Sequence, residues 1–166
     1  NASFSLDRLR IGVYPMKENE PDERYRITTI SYTLYKLKDS NLDWDGNKFI
    51  NLDGMIGAPL GFSVVKDLEN IGITVDTSKN TYRDFKKLLT GRVQGVAALE
   101  FEGDKLLEMY KEFSDMIVKI EIPFKVKSYF LLVSNQFYEN NKTLVEMIWK
   151  KIENIRETSL LFQKLF

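Results

Sequence analysis

The chain has 166 residues, 43% of them hydrophobic and 29% charged, enough for one core of ordinary size or for one small domain with pieces of another. Its 24 Lys and Arg balance 24 Asp and Glu, so there is no basic field to concentrate nucleic acid and no acidic excess to mark a disordered tail. With no His and no Cys, the Ser-His-Asp and Cys-His nucleophiles, the usual zinc ligand sets, the commonest general base and structural disulfides are all excluded.

In chain order, the start "NASFSLDRLR" has no apolar h-region, and no apolar run approaches the roughly 20 residues that span a bilayer. The sequons Asn1-Ala2-Ser3 and Asn141-Lys142-Thr143 matter only in a eukaryotic secreted protein. A strand is predicted near 30–37, where "SYTLYKLK" alternates and sets Ile30, Tyr32 and Leu34 on one face. The next stretch, "NLDWDGNKFINL", places Asn41, Asp43, Asp45 and Gly46 at positions 1, 3, 5 and 6 of a calcium loop, but position 12 is Leu52 where a bidentate Glu is required. With a strand on its upstream flank it reads as a polar connection, and no metal is expected.

A strand at 54–59, a helix at 62–70, a strand at 72–76 and a helix from Thr81 to Leu89 ended by Gly91 follow. "RVQGVAAL" then gives a buried strand over 93–99, "GDKLLEMYKEF" a helix, and "MIVKIEI" a strand at 116–121 stopped by Pro123. "KSYFLLVS" is one more strand, and two helical stretches close the chain, the first with Leu144, Ile148, Ile152 and Ile155 on one stripe. Repeated strand-helix units of this length imply an α/β fold whose mainly parallel sheet carries helices on both faces. Ligands of such sheets sit beyond the carboxyl ends of the strands. There, in "GMIGAPLGFSVVKDL", Gly57 and Gly61 bring backbone N–H groups close to whatever lies past the strand, and Ser63 is the candidate N-cap of the next helix. That is a small anion site in outline; the plain alternative is a tight turn with a serine cap.

The segments "IGAPLGFSVVKDL", "NTYRDFKKLLTGRVQGVAALE" and "IPFKVKSYFLLVSNQFYENNKTLVEMIWKKIENIRE" resemble, in order, the second-lobe and C-terminal pattern of bacterial extracellular solute-binding proteins of family 3, the amino-acid transporter type. "SFSLDRLRIGVYP" resembles the stretch where that family writes hydroxyl residues, an Arg and an aromatic-Pro turn into the hinge. The resemblance implies a periplasmic-binding-protein type II-like fold. It implies that Arg8 clamps the ligand carboxylate with Ser3 and Ser5 beside it, and that Gly61, Phe62 and Ser63 close on the same carboxylate. The family Asp that holds the ligand amino group is replaced: Leu99 stands at its place with Glu100 beside it, and strand alternation turns Glu100 the other way.

The family's opening segment, which supplies most of the first lobe and the aromatic walls around the ligand, has no counterpart, and Asn1-Ala2 reads either as an expression scar or as native sequence. The expected organisation is therefore 1–44 as the end of a first-lobe segment with a hinge strand, 45–125 as a nearly complete second lobe, and 126–166 as the return hinge strand, within 125–133, with C-terminal helices of a partial first lobe. The implied function is a periplasmic, non-enzymatic binding protein for a small carboxylate-bearing, amino-acid-like solute, working with a membrane transporter permease and using no cofactor. A sensory or regulatory module, or a truncated remnant acting through protein contacts, is the alternative. An open half-site of this kind is expected to bind at millimolar strength at best, and the apolar helix face at 143–155 with the 127–133 strand edge is expected to drive homodimer formation or strand exchange.

Overall fold

The computed structural model describes residues 2–165, with side chains through residue 159; Asn1, and with it the first sequon, lies outside the described residues. The opening segment carries short strands β1 (Ala2–Ser3), β2 (Gly12–Val13), β3 (Met16–Lys17) and β4 (Glu20–Pro21), with 3-10 turns at Leu6–Arg10 and Glu23–Tyr25, and then the long β5 (Thr28–Leu37). The middle carries β6 (Asp43–Trp44), β7 (Phe49–Ile50), β8 (Ile56–Pro59), α1 (Ser63–Asn70), β9 (Val75–Ser78), α2 (Thr81–Leu89), β10 (Gly95–Leu99), α3 (Glu100–Met109), α4 (Lys111–Ser114) and β11 (Ile117–Lys119). β12 (Lys125–Phe130), β13 (Val133–Ser134) and α5 (Asn135–Leu165) close the chain. Two compact units result: Ser31–Val126 is one contiguous unit, while Asn1–Ile30 and Lys127–Phe166 together form the other.

The contiguous unit is an α/β sheet in the order β11-β5-β10-β8-β9. The expected parallel pairing holds for β8 with β9 and for β8 with β10, with α1 and α2 as the connecting helices. β5 pairs antiparallel with both β10 and β11, so the sheet is mixed. Its core joins Tyr35, Phe85, Leu88, Val93, Val96, Ala98, Phe113 and Ile117. α2 belongs to that core because Thr81, Asp84, Phe85 and Leu88 fall on one helical face and are all buried. Full burial of a ring such as Phe85 stabilises by roughly 1.5–3 kcal/mol. Phe85 meets Tyr35 at 5.1 Å and Phe113 at 5.3 Å between ring centres.

Several element ends differ from the sequence reading. β9 starts at Val75 instead of residue 72, because Gly72 takes the left-handed conformation (φ +81°) and Ile73 N donates back to the Leu68 carbonyl at 3.0 Å, closing α1 before the strand begins. α3 starts at Glu100, directly off β10, and breaks at Tyr110, whose extended ψ of 105° separates it from α4. "NLDWDGNKFINL" forms the hairpin β6–β7, with Asp45 Oδ1 accepting from the N–H groups of Asn47 and Lys48 at 2.8 Å each; among the described residues no group of three or more acids is arranged to hold a metal ion.

In the discontinuous unit β1 pairs with β12 and β13 with β2, both antiparallel. Tyr14, Phe130, Val145 and Trp149 are its large buried hydrophobic side chains, and Trp149 Nε1 donates to the Leu131 carbonyl at 3.0 Å. The inward stripe of the closing helix differs from the expected one. Val145 and Trp149 face inward, Ile148 and Ile152 are half-buried, and Leu144 and Ile155 are exposed. α5 is continuous apart from Asn141, whose non-helical backbone marks the join of the two expected stretches. No helix among the described residues is long and apolar enough to cross a membrane.

Candidate functional site

Each unit carries part of the predicted constellation. In the discontinuous unit, Arg8 sits in the Leu6–Arg10 turn, which begins when Arg8 N donates to the Ser5 carbonyl at 3.0 Å. That turn brings the guanidinium back over β1, where Nη1 donates to the Ser3 carbonyl at 2.7 Å and to Ser3 Oγ at 3.2 Å. Tyr14 donates to the same buried carbonyl at 2.8 Å. Burial pushes the Tyr14 phenol above its ordinary value, and the neighbouring Arg8 charge pulls against that rise. Arg8 and Ser3 are thus brought together, with Ser5 at the head of the same turn. Arg8 Nη1 bonds the neutral oxygens of Ser3, and the guanidinium also meets the Tyr14 hydroxyl, with five N–H donors in all to share among its partners.

In the contiguous unit, the three parallel strands β8, β9 and β10 end at one rim. β8 runs into the turn of Gly61, Phe62 and Ser63, and Leu60 N holds that turn to the Ser78 carbonyl of β9 at 2.8 Å. Gly61 is left-handed (φ +82°) with open space around its α-carbon, so the backbone requires glycine there. The expected cap is displaced by one residue: Phe62, extended at ψ 144°, is the N-cap, and Ser63 is the first helical residue of α1. A residue with no polar side chain at the cap leaves the first turn of α1 without the acceptor that a serine there would supply.

Gly57 lies inside β8 and not in the turn that follows it. It lies buried in β8, opposite Val96 and Asp76, where an added Cβ would sit 3.4 Å from Asp84 Oδ1 and from the Val93 and Val96 methyl groups. At that distance an alanine methyl would be in ordinary van der Waals contact, so the packing does not demand glycine at this position. Asp84 accepts from Ser78 Oγ at 2.5 Å and lies 3.6 Å from Lys87 Nζ, and burial raises its carboxyl above the usual range against those two partners.

Glu100, at the end of β10, is committed to its own unit: Lys119 Nζ donates to it at 3.0 Å and to Asp104 at 2.6 Å. These two carboxylates, Asp104 first, hold Lys119 charged above its usual range. Tyr35 donates to Asp104 Oδ1 at 2.9 Å, and burial keeps its phenol protonated well above the ordinary value. The rim also contains a pair that sequence reasoning missed. Thr81, buried in the first turn of α2, donates to Glu102 Oε2 at 2.9 Å. The Asn80 cap in front of Thr81 was the available signal, since Asn80 Oδ1 accepts from Arg83 N at 3.0 Å and fixes where α2 begins.

No protein-family model matches the sequence. No curated protein matches it. Solved structures do. Holo ArgBP from T. maritima aligns at a TM-score of 0.64 with 14% identity, covering 99% of this chain and 66% of its own. The arginine-, lysine-, histidine-binding protein ArtJ from Geobacillus stearothermophilus gives 0.65, 13%, 99% and 66%. A histidine kinase sensor domain with similarity to periplasmic binding proteins gives 0.69, 11%, 95% and 63%. The chain therefore has the periplasmic-binding-protein fold. Among its structural neighbours are the amino-acid-binding proteins that its motifs resemble, and it spans about two thirds of their length.

Proposed function

We propose that the protein binds a small, carboxylate-bearing, amino-acid-like solute outside the cytoplasm and releases it unchanged to a membrane transporter. The observation that carries this reading is Arg8: a five-donor guanidinium anchored beside the Ser3 hydroxyl and carbonyl, on a fold shared with arginine-binding proteins. In this reading Arg8, Ser3 and Ser5 form one contribution to the carboxylate clamp. The Gly61, Phe62 and Ser63 turn, at the positive end of α1, forms the other. Glu100, already paired with Lys119, enters at most by orienting that lysine at the rim. Residues 45–125 are read as the second lobe, and the binding proteins among the structural neighbours favour a non-catalytic role. The sensor-domain neighbour supports a second reading, the same binding site coupled to signalling.

Nuclear magnetic resonance titration of the 166-residue chain with amino acids and simple carboxylates up to about 20 mM tests the clamp, since a single charge-assisted bidentate contact exposed to water gives only millimolar affinity. Shifts confined to residues 3–8 and 61–63 and abolished by Arg8→Ala support it. Absence of any saturable shift overturns it. A permease gene beside this reading frame, or continuation of the frame into a kinase, separates transport from signalling.

A further inference from the structure

The chain is neutral overall, yet one recess is not. Thr77, Ser78, Lys79, Arg83, Lys86, Lys87, Thr90 and Arg92 line an open recess of about 490 Å³ beside β9 and α2, and this lining holds five cations, three hydroxyls and no acid. Helical spacing gathers them: Lys79 precedes the Asn80 cap, and Arg83, Lys86 and Thr90 follow at intervals of three and four residues along one side of α2.

The acids nearby arrange these cations as well as neutralising them. Asp76 accepts from Lys87 Nζ at 2.9 Å with one oxygen and from Arg92 Nε at 2.6 Å with the other, so two cations stand side by side. Lys87 spends its remaining donors on the carbonyls of Asp76 and Thr77, and Lys86 is held by both oxygens of Glu112 at 2.8 Å. Three groups keep free donors: the terminal nitrogens of Arg92, the whole fork of Arg83, and the Lys79 ammonium, the last two in no ion pair among the described residues.

Two guanidinium forks and an ammonium around a recess edged with hydroxyls match tetrahedral, multiply charged oxyanions, because each fork spans two oxygens of one phosphate. We propose that this recess binds a ligand carrying adjacent phosphate groups, with Arg83, Arg92 and Lys79 as its contacts and Asp76 as the positioning residue that presents Arg92. The site lies wholly within the contiguous unit and does not depend on the solute-binding reading.

Calorimetry with pyrophosphate at low ionic strength tests it, alongside co-sedimentation with phosphatidylglycerol and with phosphatidylcholine vesicles. Saturable pyrophosphate binding is expected, with Kd raised about tenfold by Arg83→Gln and several-fold by Lys79→Gln, as loss of a charge-assisted contact implies, and unchanged by Lys125→Gln, a cation outside the lining. Saturable binding of free pyrophosphate supports the site, whereas binding to phosphatidylglycerol vesicles alone, whose headgroup carries a single phosphodiester, reflects general attraction to an anionic surface and overturns it. Asp76→Asn separates positioning from net charge: deleting a negative charge tightens anion binding if only the field matters, whereas loss of the Arg92 anchor weakens it. Arg92→Lys, which keeps the charge and loses the fork, is expected to weaken binding likewise and gives the answer even if Asp76→Asn fails to fold. Absence of binding in both assays, equal losses with Lys125→Gln, or tighter binding by Asp76→Asn together with unchanged binding by Arg92→Lys overturns the proposal.

Discussion

Replacing Gly103 by alanine should destabilise the protein although Gly103 lies in a helix, where glycine is ordinarily the worse residue. Alanine recovers about 1 kcal/mol of helix propensity there. Its methyl, however, would occupy the space of the Tyr35 ring, overlapping Cζ, Cε2 and the hydroxyl of a side chain that is itself fully buried. Overpacking of a close-packed core costs about 1–3 kcal/mol. Tyr35 also has somewhere specific to be: its hydroxyl donates to Asp104 Oδ1 at 2.9 Å, with the Glu100 carbonyl at 3.1 Å, and a bond to a carboxylate is worth about 1.5–3 kcal/mol. If the ring moves enough to relieve the overlap, that bond goes with it. The net expectation is a loss of about 2–4 kcal/mol, or a fall in Tm of roughly 5–12 °C for a chain of this size. Urea denaturation with an unchanged m value measures it. Tyr35→Phe in the same background should relieve only part of the loss, because the ring carbon still overlaps the new methyl, so a double-mutant cycle should return a clear coupling energy. A Gly103→Ala protein as stable as the parent would show that Tyr35 does not pack against the α3 backbone as described.

The two aspartates that meet Lys87 should respond oppositely to pH. Burial raises Asp84 above the ordinary carboxyl value of about 4, so over that interval the folded chain keeps a proton that the unfolded chain has lost, and the stability tied to Asp84 falls as pH rises. Asp76 is lowered by its bonds to Lys87 and then Arg92, so its contribution is present above the unfolded value and lost as pH falls through the folded one. Denaturant midpoints at about pH 4 and pH 7 should therefore show Asp84→Asn gaining on the parent as pH rises and Asp76→Asn losing ground, whereas parallel curves would refute both assignments. Asn80→Ala removes the side-chain acceptor at the start of α2 and should cost about 1 kcal/mol, seen as a Tm lower by about 2–4 °C. Gly61→Ala meets no neighbour but must hold φ near +82°, so it should cost about 1–2 kcal/mol, with Gly61→Asn costing less; equal stability of the alanine variant would mean that the turn is not left-handed.

Local signals were legible in the sequence where the physics is local. α2 runs from Thr81 to Leu89 and stops before Gly91 as expected, and β10 follows its apolar run. Arg8 and Ser3 meet because a single tight turn separates them. What periodicity missed depends on partners far along the chain. The inward face of α5 follows the Leu131 carbonyl under Trp149, and the antiparallel entry of β5 follows its pairing with β10 and β11. Neither of those long-range constraints leaves a mark on the spacing of neighbouring residues. The phosphate-type recess was passed over for a different reason: its five cations fall within residues 79–92 with Asp84 as the one acid, a local excess that the balanced totals of 24 and 24 average away.

The division of the chain into one contiguous unit and one assembled from both ends also bears on how the protein is made. As it leaves the ribosome, the stretch from Ser31 to Val126 has all of its own core in hand, whereas the opening thirty residues must wait for the closing segment. The wait costs less than the sequence separation suggests. Phe124 N donates to the Tyr32 carbonyl at 2.9 Å, so once the contiguous unit has folded its two ends lie side by side. The closing segment then emerges next to the opening one, and the loop to be closed is short instead of spanning most of the chain. Synthesis from one end to the other thus favours a fixed order of assembly, the middle first and the two ends together last.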